Sequence, residues 1–348
     1  MALLQLGGDR YFVRGSAKYP GPRAAAPSPS FVPLLYRLAM EKELLVVGGG
    51  KMGEALVRGL LDAGWAQPDQ VAIAEVSSSR RAELVGAGGL ASQFRGLEVV
   101  GEELPAARGA IIAVKPSDVE AACQGLQKSG APRVLSIAAG VTLAELETFC
   151  PAGCAVVRAM PNIAALVGAG ATAISGGALA RRADIDWAAG IMRSVGLVVE
   201  VPEHLLDAVT GLSGSGPAYV FLVVEAMTEA GVLVGLPRQT ARDLVVQTLA
   251  GSALLLSSTG QSAEELRAAV TSPGGTTAAG LRRLEAGGAR SAFIEAVASA
   301  TARSRELGSA RTGADRPGWD RAGREWAGPG PTGADRTGPD RTGPAKAE

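Results

Sequence analysis

The chain is short of the side chains that most often do chemistry. Its 348 residues include one histidine, His204, and three cysteines, Cys123, Cys150 and Cys154. A single imidazole excludes a multi-histidine metal site. Cys150 and Cys154 are four apart and Cys123 stands alone, which matches no zinc spacing, so no metal is expected. So few thiols exclude a disulfide framework and point to a reducing, cytoplasmic setting. Net charge is also missing, with 34 Lys and Arg against 34 Asp and Glu. That balance argues against a nucleic-acid partner, which calls for a basic surplus. No uninterrupted apolar run reaches roughly 18 residues, so no membrane partner is expected. Aromatic residues are only 4% of the chain although hydrophobic residues make up 47%. The core must therefore be aliphatic, built from Ala, Val, Leu and Ile.

Periodicity is missing at both ends. Residues 1–41 contain the breaker-rich stretch Tyr19-Pro20-Gly21-Pro22 and Pro27-Ser28-Pro29, and show neither the apolar core nor the cleavage site of a secretory signal. We read them as a disordered leader, with Met40 as a candidate natural start just before the first strand-like run. Residues 309–348 repeat Thr-Gly-Ala/Pro-Asp-Arg, for example at Thr332 and Thr337, and read as a disordered low-complexity tail. Between these ends the chain has two textures, and its length suits two domains. Over residues 42–202, short β-rich runs (Leu44–Val47, Val71–Glu75, Ala110–Val114, Val134–Ile137, Val156–Val157, Leu197–Val201) alternate with helical stretches. Such alternation implies an α/β domain with a mostly parallel sheet. Over residues 203–308 strand signals fade and five helical stretches follow one another. The fold class expected is a Rossmann-type α/β domain followed by an all-α domain.

Leu44-Leu45-Val46-Val47-Gly48-Gly49-Gly50-Lys51-Met52-Gly53 is a strand running into G-x-G-x-x-G, with the helix-forming Glu54–Leu61 behind it. Gly48 permits a tight turn, Gly50 lets the backbone approach a pyrophosphate, and Gly53 allows the helix to pack close to the strand. Glu75 ends the second strand, where a carboxylate accepts hydrogen bonds from the adenosine ribose hydroxyls and repels a 2′-phosphate. Arg80 and Arg81 follow Ser77-Ser78-Ser79 and are the alternative, as hosts for that phosphate or as a solvated helix start. The cofactor is thus NADPH or NADH, with Glu75 leaning toward NADH.

Further blocks carry a resemblance. They are Ala113-Val114-Lys115-Pro116, Ser136-Ile137-Ala138-Ala139-Gly140, Arg158-Ala159-Met160-Pro161-Asn162, Asp207–Tyr219, and Val270-Thr271-Ser272-Pro273-Gly274-Gly275-Thr276-Thr277. Together with the glycine turn they resemble the pyrroline-5-carboxylate reductase family over residues 43–308. The resemblance implies reduction of 1-pyrroline-5-carboxylate to L-proline by NAD(P)H, the last step of proline biosynthesis. It implies that Val47, Gly48, Gly49, Gly50, Lys51, Met52, Gly53 and Glu75 hold the cofactor. Ala113, Val114, Lys115, Pro116, Ile137, Ala138, Ala139 and Asn162 would line its nicotinamide half. Ser272, Gly275, Thr276 and Thr277 would bind the substrate carboxylate, in keeping with hydroxyls and free amides at a helix start. Thr210 is the implied catalytic hydroxyl, facing the ring nitrogen; its ordinary alternative is a hydrogen bond to its own helix backbone. A homodimer through the helical part is implied, or a higher ring, a decamer included.

Three positions depart from the family pattern. Glu75 stands where a small polar residue is common, Val100-Gly101-Glu102 lacks an asparagine, and Ala269 replaces a polar residue before the substrate loop. A β-hydroxyacid dehydrogenase and a non-catalytic dinucleotide- or pyridoxal-phosphate-binding protein are the alternatives. The Gly211–Gly216 stretch near His204 and Asp207 suggests a serine hydrolase, but Ser215 breaks the G-x-S-x-G elbow.

Overall fold

A computed structural model describes residues 41–312 and, before them, the strands β1 (Leu3–Leu6) and β2 (Asp9–Phe12), which pair antiparallel. This hairpin falls inside the segment read from the sequence as a leader. Of that segment, residues 1–2, 7–8 and 13–40, including Met40, lie outside the described residues, as does the tail from residue 313, with Trp319 and Trp326.

Next come β3 (Leu44–Val47), α1 (Lys51–Asp62), β4 (Val71–Ala74), α2 (Ser78–Val85), α3 (Leu90–Gln93), β5 (Glu98–Val100), β6 (Ala110–Ile112), α4 (Val119–Gly125), β7 (Arg133–Ser136), α5 (Leu143–Phe149) and β8 (Ala155–Met160). β9 (Gly170–Gly176), α6 (Arg182–Arg193) and β10 (Gly196–Glu200) complete an eight-stranded sheet. β3, β4 and β6 are buried throughout, as strands covered on both faces must be. Alternate residues point to opposite faces. Leu44, Val46, Ile73 and Ile111 pack with Leu56, Leu60 and Met192 of α1 and α6. Leu45, Ala72, Ile112 and Val134 pack with Val119, Cys123 and Leu146 of α4 and α5.

The strand order is β10-β9-β8-β7-β6-β3-β4-β5, parallel except between β8 and β9. From β5 to β8 this is the doubly wound order of dinucleotide-binding sheets, and it reverses between β3 and β6. The crevice above that reversal is where the fold places a ligand. β5 and β9 were not foreseen. β5 has only three residues and β9 is Gly-Ala-Thr-Ala-Ile-Ser-Gly, so neither offers a run of large apolar side chains.

After β10 the chain is helical: α7 (Leu206–Val209), a wide π turn at Thr210–Gly214, α8 (Gly216–Leu233), α9 (Arg238–Thr259), α10 (Ala263–Ala269), α11 (Thr276–Ala286) and α12 (Ala289–Thr312). Local signals punctuate these helices. Pro237 precedes α9, Gly260 ends it in the left-handed region, and Ser262 and Glu265 form a capping box on α10. Helix α8 is apolar on more than one face and leaves Phe221 and Leu222 59% and 65% exposed. Among the described residues, the stretch Glu203–Leu233 is the one long and apolar enough to cross a membrane by length and composition. Counting uninterrupted apolar runs misses it because Asp207, Glu225 and Glu229 break the run. An unburied apolar helix of this kind requires a cover that the described residues of one chain do not supply.

Candidate active site

The glycine turn is shaped by three contacts. Gly48 has φ of 109°, and a Cβ there would lie 2.6 Å from the Ala113 carbonyl oxygen. Only glycine lets the turn pass between the ends of β4 and β6. A Cβ on Gly53 would lie 2.0 Å from the Gly48 oxygen, so α1 packs directly on the turn. Gly50 differs: a Cβ there would meet nothing within 4 Å, and no side chain caps α1. The first-turn amides of α1 are therefore left for an anion, and the helix dipole favours one.

Beside this turn lies a cleft of about 690 Å³, open at the carboxyl ends of β3, β4 and β6. Of the residues expected to hold a cofactor, Val47, Gly48, Gly50, Glu75, Ala113, Val114 and Lys115 line it. Gly49, Lys51, Met52 and Gly53 belong to the same turn without lining the cleft. Gly49 is buried and donates its N–H to Glu75 Oε2 at 2.9 Å, and Lys51 is exposed. Pro116 opens the single turn Pro116–Asp118 that leads into α4. Ile137, Ala138 and Ala139 follow β7, one strand further along, where Ile137 N–H donates to Ile112 O at 3.0 Å. The sequence reading missed Val76, Leu104, Ala122 and Gly125, which also line the cleft, and named Gly101 only as part of a departure from the family pattern. Ala122 and Gly125 share one face of α4, and small residues at that spacing were the available signal.

The acidic and basic groups near the turn are already engaged. Glu75 also accepts from Ser77 N–H at 2.8 Å through Oε1. Arg80 donates to Gly49 O at 2.8 Å, to Glu83 at 2.7 Å and to Glu54 at 2.5 Å. Glu83 first, then Glu54, hold its guanidinium charged above the ordinary range. Arg81 donates to the Glu75 and Val76 carbonyls at 2.7 and 2.8 Å.

The remaining candidates lie away from the cleft. Asn162 bridges the two parts of the chain, accepting from Ala171 N–H and donating to Ser213 O, both at 3.1 Å. Thr210 donates its hydroxyl proton to Leu206 O at 2.8 Å, the ordinary helix bond, which leaves its oxygen lone pairs as acceptors. Ser272, Thr276 and Thr277 are exposed, and Gly275 caps α11 without a side-chain bond. Among the described residues, this loop bonds to its own neighbours and none of it lines the cleft. A single chain therefore does not bring the loop and the crevice together.

Two groupings were invisible in the sequence. Glu203 Oε1 accepts from the buried Arg158 at 2.9 Å and from Leu143 N–H at 2.6 Å, pinning the start of the helical part to β8 and α5. The cysteine read as isolated is not: Cys150 donates to Cys123 Sγ at 3.4 Å, and Cys154 is buried with them. That contact, with burial, pushes the Cys150 thiol up to about 12. Ser213 donates to Val209 O and His204 is exposed, so no serine–histidine pair forms in the Gly211–Gly216 stretch.

Comparison with known proteins bears on both halves. Residues 203–307 match the family model described as pyrroline-5-carboxylate reductase dimerisation. Residues 43–140 match one described as NADP oxidoreductase, coenzyme F420-dependent. The pyrroline-5-carboxylate reductase of Mycobacterium tuberculosis is 44% identical over 290 residues, covering 76% of this chain and 96% of that protein. The solved structure of a pyrroline-5-carboxylate reductase from Coxiella burnetii is similar at a TM-score of 0.70 and 35% identity, covering 76% of this chain and 98% of the other. The Plasmodium falciparum pyrroline carboxylate reductase, solved with NADP bound, is similar at a TM-score of 0.66 and 27% identity, covering 78% of this chain and all of the other.

Proposed function

This chain belongs to the pyrroline-5-carboxylate reductase family, and on that premise we propose how its residues share the reaction. It is an NAD(P)H-dependent oxidoreductase that reduces 1-pyrroline-5-carboxylate to L-proline, the last step of proline biosynthesis. The dehydrogenase and non-catalytic alternatives give way to relatives of this identity and coverage.

The observation that carries the site is the Gly48–Gly53 turn at the sheet's reversal, with an uncapped helix start and an unobstructed Gly50. The residues fit a dinucleotide. Amides from Gly50 to Gly53 receive the pyrophosphate, and Glu75 receives the ribose hydroxyls. Ala113–Pro116, Ile137–Ala139 and Asn162 bound the nicotinamide half. NAD(P)H, when bound, supplies the hydride for the imine carbon. A protonated imine is already electrophilic, so positioning is the main task left to the chain, and one histidine suffices. Thr210, its proton committed to Leu206 O, offers lone pairs that accept a hydrogen bond from the ring N–H. Ser272, Gly275, Thr276 and Thr277 take the carboxylate at the uncapped start of α11.

Residues 42–202 serve as the cofactor module and 203–308 as the dimerisation and substrate module. The dimerisation match supports a homodimer. The separation of loop and crevice in one chain supports a site completed by the second copy. A ring of dimers is the larger assembly we expect, and the reduced cysteines favour the cytoplasm.

The test is consumption of NADH and NADPH by the purified protein, followed by the absorbance of the reduced nicotinamide, with proline identified as product. Oxidation that depends on 1-pyrroline-5-carboxylate is expected. Oxidation of neither cofactor, or turnover only with hydroxy acids, would overturn the assignment.

A further inference from the structure

We propose that Glu75 selects NADH, and that Arg80 is a latent 2′-phosphate ligand kept out of use by Glu54 and Glu83. The inference rests on the cofactor site described above and goes beyond it by naming which nucleotide the site takes.

The carboxylate of Glu75 is fixed on both oxygens, by Gly49 N–H at 2.9 Å and by Ser77 N–H at 2.8 Å. It lines the cleft at the end of β4, where a bound adenosine ribose sits in this fold. Each oxygen retains a lone pair, so ribose hydroxyls can still donate to it without displacing the backbone. A 2′-phosphate would instead bring a dianion against a carboxylate that cannot swing aside. The surroundings reinforce the sign. The cleft is lined by the carboxylates of Glu75, Glu102 and Asp118 against the single ammonium of Lys115.

The arginines do not reverse this. Arg80, in the first turn of α2, reaches the glycine turn, but Glu54, Glu83 and the Gly49 carbonyl take up its guanidinium. Arg81 is turned back onto the Glu75 and Val76 carbonyls. A phosphate would have to compete with Glu54 and Glu83 for Arg80, while Glu75 repels it. With those carboxylates neutral, Arg80 and the hydroxyls of Ser77 and Ser79 would form an ordinary phosphate site.

The experiment measures dissociation constants for NADH and NADPH by calorimetry on the full-length protein, wild type and variants. Wild type should bind NADH at least about tenfold more tightly. Glu75→Ser should bring the two constants together, and Glu75→Ser combined with Glu54→Gln should favour NADPH. Glu75 also braces Gly49, and loss of that brace weakens both nucleotides alike, so the ratio isolates selection from structure. For a variant that does not fold, the wild-type protein carries the test: adenosine 5′-phosphate should displace NADH, and adenosine 2′,5′-bisphosphate should do so about tenfold less well. Tighter NADPH binding by wild type, or an unmoved ratio in Glu75→Ser, would overturn the proposal. Binding of neither nucleotide would instead remove the cofactor site itself.

Discussion

Gly48 and Gly50 are two residues apart in one turn, yet they face different surroundings. Replacing Gly48 by Ala forces a side chain into φ of 109° and against the Ala113 carbonyl. The strain alone costs about 1–3 kcal/mol, so Gly48→Ala should lower the thermal midpoint and nucleotide affinity together. Gly50→Ala meets no atom within 4 Å and has an ordinary φ of −64°. Its melt should be within about 0.5 kcal/mol of wild type, while NAD(P)H affinity falls about tenfold because the methyl occupies the pyrophosphate path. A melt and a titration on each variant separate the two roles. Thr210→Val removes the acceptor lone pairs at that point, so turnover should fall while NAD(P)H binding holds; Thr210→Ser should restore turnover. The thiols offer a further check at this scale. Cys123, Cys150 and Cys154 are buried, so Ellman's reagent should label none of them in the native protein and all three after unfolding. The bond to Cys123 and burial push the Cys150 thiol up to about 12. Alone, that shift would give stability that is complete below pH 9 and lost as pH rises toward 12, but the same bond lowers Cys123 and offsets part of it.

Elements meet where the strand order reverses and where the sheet hands over to the helices. The second junction is held by a small polar set: Arg158 of β8, Glu203 ahead of α7, and the first amide of α5, Leu143 N–H. Arg158 is 9% exposed at its side chain and Glu203 33%. Glu203→Ala leaves the guanidinium without its carboxylate, at a cost of about 1–3 kcal/mol given the partial exposure. A lower urea midpoint at unchanged slope is the expected result. Glu203→Gln should recover part of the loss, since an amide oxygen still accepts from Leu143 N–H. Asn162 performs the corresponding task for the π turn that carries Thr210, holding Ser213 O on one side and Ala171 N–H on the other.

At the scale of the whole molecule the apolar surface of the helical part is the main feature. Phe221, Leu222, Leu244 and Leu254 are each more than half exposed in one chain. We expect a second copy to bury them, in keeping with the dimerisation match over residues 203–307, and sedimentation should show a dimer or larger at working concentration. A charge at the centre of that surface, Phe221→Glu, should yield monomer. In the monomer we expect NAD(P)H to bind, because the cleft is lined by residues 47–125, and turnover to be lost if, as proposed, the second copy brings the Ser272–Thr277 loop to the crevice.

The sheet module was readable from the residues because its signals are local. Strand β3, the glycine turn and α1 are contiguous, and a short apolar run followed by G-x-G-x-x-G has few other ways to fold. The helix stop at Gly260 is local for the same reason. What escaped was everything that depends on distant segments meeting. The small residues of β9 become a strand only beside β8 and β10, and Cys123 gains its neighbour only when α4 packs beside α5. Glu75 shows the division within one side chain. Its charge and its place at a strand end are written in the chain, and they suffice to propose it as a ribose ligand. The bonds from Ser77 to one Glu75 oxygen and from Arg80 to Glu83 are local, two and three residues apart. That Gly49 locks the other oxygen and that Glu54 draws Arg80 away follows from packing α1 and α2 against one turn. Hydrogen bonds between residues 26 positions apart leave no trace in either local pattern.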